Sequence, residues 1–173
     1  ADPVEFELKA IYQPAVSGPT ADEALQFSKD LAAAYRRSSA TSEVLKSVEG
    51  TVKALRMAID RTPGDVATLE AKYAAIQDEI NGINFEMSGL KSRDRMGIKP
   101  ASISSRFWYA MSANWSSYGP TAQHKEQFGY TLEGLEAVIK RLSDLQASKV
   151  PDLQKAVIDA GGPWTKGAPL IAN

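Results

Sequence analysis

From Ala24 to Ile59 small or apolar residues fall at Ala24, Phe27, Leu31, Ala34, Ser38, Thr41, Leu45, Val48, Val52, Leu55 and Ile59. The steps alternate three and four without a slip. That rhythm is the seam of one long helix, and such a seam is stable in water only when partner helices cover it. The chain is therefore constrained to an all-α, coiled-coil-like bundle before anything else about it is considered. A capping box opens the helix: Thr20 can cap the amide of Glu23, whose carboxylate can return to Thr20. The helix is expected to end near Arg61, after roughly 60 Å.

The partners are legible downstream. Thr62-Pro63-Gly64-Asp65 is a short turn, which implies an antiparallel neighbour. Leu69, Tyr73, Ile76, Ile80, Ile83, Met87 and Leu90 form a second heptad seam. Gly82 and Gly89, costly within a helix, read as close-packing positions. Residues 91 to 102 read as a loop made basic by Lys91, Arg93, Arg95 and Lys99, with Arg106 nearby. No phosphate cradle or RNA-binding signature accompanies it, so a solvated loop is the simpler reading and no nucleic-acid partner is expected.

A shorter helix is expected over 103 to 117, with Ser102 as its cap. Phe107, Met111 and Trp115 then share one stripe, which predicts a buried aromatic plug. The competing reading is a ligand or partner surface made by Trp108, Tyr109, Trp115 and Tyr118, since clustered rings stack on sugars. Thr121 caps a last helix reaching about residue 160. Pro151 is expected to kink or divide it, and Gly161-Gly162-Pro163 to end it. Trp164 is expected to dock back on the bundle. His124, the single histidine, reads as a surface residue. The long helices match the second and aromatic helices laid end to end. An up-down-up bundle of three columns follows, the middle one interrupted; the alternative is a four-helix arrangement.

Residues 1 to 19 stand apart as an extended segment and linker, the bundle spans 20 to 168, and 169 to 173 is a tail. Val4, Phe6, Leu8 and Ala10 alternate with charged residues, as in one short strand. The Ser38, Ser39, Thr41 and Ser42 cluster reads as a small-residue layer rather than a buried polar site. A formal net charge of -1 supplies no field that would steer the chain to nucleic acid or anionic membrane. No run of 18 apolar residues is present, so no membrane insertion is expected. Nor is a signal peptide visible in the chain. Zero cysteines exclude disulfides and thiolate chemistry. No nucleophile-and-base set or ligand cluster appears, so no cofactor, metal or catalytic residue is expected.

The second half carries a resemblance. Ile103-Ser104-Ser105-Arg106-Phe107-Trp108-Tyr109-Ala110-Met111, then Trp115 and Gly119-Pro120-Thr121-Ala122-Gln123, resembles a helix and turn of one bacterial family. So do Val150-Pro151-Asp152-Leu153 and Gly161-Gly162-Pro163-Trp164-Thr165-Lys166-Gly167. The family is the secreted sortilin-like (VPS10-type) β-propeller proteins, often labelled BNR-repeat glycosyl hydrolases. In them a propeller is followed by a small β-sandwich and then a helical region. The resemblance covers about 20 to 168. It implies a noncatalytic accessory or scaffolding domain outside the cytoplasm, extracellular or periplasmic. Its partner would be the propeller or sandwich of the parent protein, with any catalysis residing there. The alternatives are a free-standing protein-interaction module and, less favoured, a carbohydrate-binding module built on the aromatics of 107 to 118.

Overall fold

The computed structural model describes residues 3–7, 17–89 and 101–168. Helix accounts for 77% of the described residues, and none of them is in a strand. The order is α1 (Ala21–Ile59), α2 (Ala67–Ser88), α3 (Ile103–Met111), a 3₁₀ turn (Ser112–Trp115), α4 (Ala122–Asp144), a π-turn (Leu145–Lys149) and α5 (Val150–Asp159). α1 holds 39 residues, roughly 58 Å of helix at 1.5 Å per residue.

Local hydrogen bonds start the helices where the sequence predicts. The Glu23 amide donates to Thr20 Oγ1 at 3.2 Å, and the Thr20 amide donates to Glu23 Oε2 at 2.8 Å. The Thr20 amide first, and then the Thr20 hydroxyl, which donates to Glu23 Oε2 at 3.2 Å, hold the Glu23 carboxyl below its ordinary pKa. Ser102 and Ser105 cap α3 in the same reciprocal way. α2 starts without a side-chain cap at Val66, and Asp65 instead accepts from the Ala67 amide at 2.9 Å.

Pairs along the helices set their directions. Arg56 meets Glu70 and Asn84 meets Glu49, so α2 runs antiparallel to α1. Tyr35 stacks on Phe107 and Ser28 bonds to Asn114, so α3 is also antiparallel to α1 and continues the column of α2. Phe27 packs on Phe128 and Arg37 pairs with Glu136, so α4 runs parallel to α1. The result is three columns, up-down-up, with the middle one made of α2 and α3.

Two cores fill the bundle. The larger joins Leu45, Val48, Val52, Leu55, Ile76, Ile80 and Ile83 with Leu135, Val138, Leu142, Leu145, Val150, Leu153 and Val157. The first-hairpin seam thus closes as the heptads require. Leu55 and Ile83 are 0% exposed. The smaller core, at the other end, joins Phe27, Leu31 and Ala34 with Phe107, Ala110, Ala113 and Phe128. Between them Thr41 is buried, its hydroxyl bonded to Arg37 O at 2.8 Å, and Ser42 bonds Ser38 O at 3.0 Å. These hydroxyls are satisfied within α1, as a small-residue layer requires. α3 approaches α4 closely because position 134 is glycine: a β-carbon there would stand 2.9 Å from Ile103 Cγ1.

The last column is divided just before Pro151, as expected, but by a π-turn rather than a break. The seam steps from Leu145 to Val150 by five residues, one more than a heptad step. The Val150 amide bonds to Leu145 O, an i→i+5 closure that absorbs the extra residue and keeps both side chains inward. The turn also relieves the clash between the Pro151 ring and the preceding helical turn. Lys149, within the π-turn, reaches Glu79 of α2 at 2.6 Å and Asp144 at 3.1 Å. α5 ends in a Schellman motif: Gly161 has φ +79°, Gly162 N–H bonds to Val157 O and Gly161 N–H to Ile158 O. A β-carbon on Gly162 would press on Thr62 Oγ1 of the α1–α2 turn and stand 2.7 Å from Val157 Cγ1.

Several expectations are corrected. Residues 3–7 form no strand, and Val4 and Phe6 are 83% and 80% exposed; a lone strand has no ladder partner to satisfy its backbone. Residues 8–16 and Leu90, the basic loop through residue 100, and the tail 169–173 lie outside the described residues. Gly82 does sit at a close approach, under Arg141. Gly89 instead caps α2, with φ +74°. Trp164 remains half exposed, its indole N–H tied to Ala168 O at 3.0 Å.

Candidate functional site

The aromatic segment departs most from its expected form. α3 is regular only to Met111, where the backbone tightens into the 3₁₀ turn. Ser112 Oγ donates to Tyr109 O at 2.7 Å, and small Ala113 turns into the core. Four residues at three per turn rather than 3.6 advance roughly 80° further around the axis. Trp115 is thereby carried off the Phe107–Met111 stripe and stands 73% exposed. The predicted plug is therefore Phe107 with Ala110 and Ala113, flanked by Met111, and Trp115 is not part of it.

The four rings of the alternative reading are all exposed to solvent, but they do not form one platform. Trp108, 53% exposed, faces α1. Tyr109 lies on the α4 side, its ring centroid 5.2 Å from that of His124. Tyr118 donates to Ser17 O at 3.0 Å and packs beside Gly18, pinning the linker into α1.

His124 is half-buried and structural rather than a plain surface residue. The Thr121 amide donates to its Nδ1 at 3.1 Å, while the His124 amide reaches Thr121 Oγ1 at 3.3 Å. Accepting at Nδ1 places the neutral ring's proton on Nε2, which donates to Ser112 Oγ at 3.2 Å. A Ser–His contact is thus present, with the wrong tautomer for a base. Nε2 already carries a proton, and Ser112 gives its own to a backbone carbonyl. The histidine clips the start of α4 to the end of α3. Sequence reading missed this because the second partner depends on the 3₁₀ turn.

What the segment does build is a groove of about 370 Å³ between α1 and α3. Leu31, Ala32 and Met111 line its apolar part, Tyr35 and Trp108 flank it, and Ser28, Arg36 and Asn114 supply its polar rim. Tyr35 and Arg36 were not singled out from the sequence. The available signal was that Tyr35 lies four residues after the seam position Leu31, on its flank. Among the described residues, no buried side-chain nitrogen or oxygen lacks a partner. Nor does any group of three or more His, Cys, Asp or Glu stand ready for a metal ion there. No helix of the described residues is long and apolar enough to cross a membrane.

The fold and site define a helical bundle with an exposed aromatic end. Comparison with protein-family models, with curated proteins and with solved structures found no match.

Proposed function

We propose that this chain is a noncatalytic helical docking domain, the accessory bundle of a larger propeller protein acting outside the cytoplasm. The observation that carries the reading is the aromatic end. Trp108 and Tyr35 are exposed beside an apolar groove and Trp115 is exposed at the end of the same segment, while the buried polar side chains of the described residues are paired. Tyr and Trp are enriched at binding surfaces because they offer a large contact area with few rotamers to freeze. The residues behind the sortilin-like resemblance support an architectural role: Thr121 caps α4, Gly161 and Gly162 close α5, and Phe107 fills a core. In this reading the parent protein's propeller or sandwich is the partner.

The test is co-purification of the bundle with the polypeptide encoded immediately upstream. The two should co-elute, and Trp108→Ala with Trp115→Ala should separate them. An upstream frame without a propeller would refute the accessory role and leave a free-standing interaction module. Carbohydrate binding is the second reading, favoured by the exposure of the rings; a glycan array on the parent and on Trp108→Ala distinguishes it.

A further inference from the structure

We propose that the α1–α3 groove receives an extended acidic–apolar polypeptide segment of the docking partner. An apolar side chain would sit between Trp108 and Tyr35, and a neighbouring carboxylate would be held by Arg36. The proposal rests on the docking reading and adds the partner's chemistry.

Arg36 is exposed and makes no ion pair or hydrogen bond among the described residues. Its helix neighbours one turn away, Ala32, Ala33, Ser39 and Ala40, are uncharged. The Trp108 indole N–H is likewise unpaired among the described residues. Asn114 Oδ1 already accepts the Ser28 hydroxyl at 2.8 Å, which leaves the amide's N–H groups as spare capacity. The Tyr35 hydroxyl can give or accept; the other free groups are donors, one of them a cation, and no carboxylate lines the groove.

That inventory selects among ligands. A neutral sugar's hydroxyls could accept from these donors, but it brings no charge to pair with Arg36. A basic segment would meet Arg36 without a counter-charge. An apolar side chain flanked by carboxylates meets both requirements. It covers Leu31, Met111 and the inner faces of Tyr35 and Trp108, and it gives Arg36 a charge-assisted hydrogen bond. A volume of about 370 Å³ is at the small end of ligand sites, enough for one or two side chains and not for a folded element.

The experiment is a calorimetric titration of the purified chain with a capped peptide, Ser-Glu-Leu-Glu-Phe-Glu-Ser. Its counterpart with every Glu replaced by Lys and cellohexaose are run in parallel. The acidic peptide should bind, and Trp108→Ala and Arg36→Glu should each weaken it by about tenfold or more. Arg36→Glu should in turn bind the lysine peptide better than the parent does. Both side chains are exposed, and unchanged melting curves confirm that the variants fold. Equal binding of the two peptides, binding of cellohexaose in their place, or no peptide binding up to millimolar concentration overturns the proposal. If co-purification with the upstream polypeptide survives such a result, only this inference falls; if it is lost too, the docking reading falls with it.

Discussion

Leu55→Ala should be among the most damaging single changes in this bundle. Leu55 is 0% exposed and lies in the larger core with Val52, Ile59, Ile76 and Ile80. Truncation removes three carbons from that core, at about 0.8 kcal/mol each for lost burial. Its neighbours belong to three columns locked by turns and ion pairs, so the space closes only in part. A residual cavity adds up to about 2 kcal/mol at ~24 cal/mol per Å³. The expected loss is therefore roughly 3–4 kcal/mol, which for a chain of this size lowers Tm by about 6–16 °C. Trp115→Ala is the internal control. At 73% exposed and outside the aromatic core, it should change stability by no more than ~0.5 kcal/mol. Urea titration followed by circular dichroism measures both, with unchanged slope as the check that the transition stays two-state. A Leu55→Ala loss below about 1 kcal/mol would refute the seam register. A Trp115→Ala loss above about 2 kcal/mol would restore the buried-plug reading and refute the 3₁₀ geometry.

Gly162→Ala should cost roughly 1–3 kcal/mol by overpacking against Thr62 and Val157; a melting curve like the parent's would show that the α1–α2 turn yields. Deleting exposed Ala147 should be tolerated within about 1 kcal/mol, because it returns the Leu145–Val150 step to heptad spacing and removes the need for the π-turn; loss of the cooperative transition would refute that account. The Glu23 carboxyl is held below its ordinary pKa by the Thr20 amide and hydroxyl. Its stabilising contribution should be complete above the ordinary carboxylate range, about pH 4.3, and fade as pH falls through the lowered folded value. Glu23→Ala and the parent should thus melt apart at pH 7 and converge in acid; a gap independent of pH refutes the carboxylate's role.

The columns were legible because what specifies them is local and periodic. The heptad rhythm of α1 and α2 marks the buried face whatever the partner is. A Thr-x-x-Glu or Ser-x-x-Ser start closes hydrogen bonds three residues apart, within reach of one turn. Even the π-turn has a sequence trace, in the five-residue step from Leu145 to Val150 followed by Pro151. The aromatic end was not legible in this way. Whether Trp115 is buried depends on a tightening of the backbone after Met111, where Ser112 bonds back to Tyr109 and His124 arrives from a different helix. Whether Trp108 faces a groove depends on how far α3 lies from α1, which Gly134 and Ile103 help to set from the opposite side. Period and capping act through one helix and appear in the order of residues. A groove is the space that two helices leave between them, so only their packing could decide that Trp108, Tyr35 and Arg36 share it.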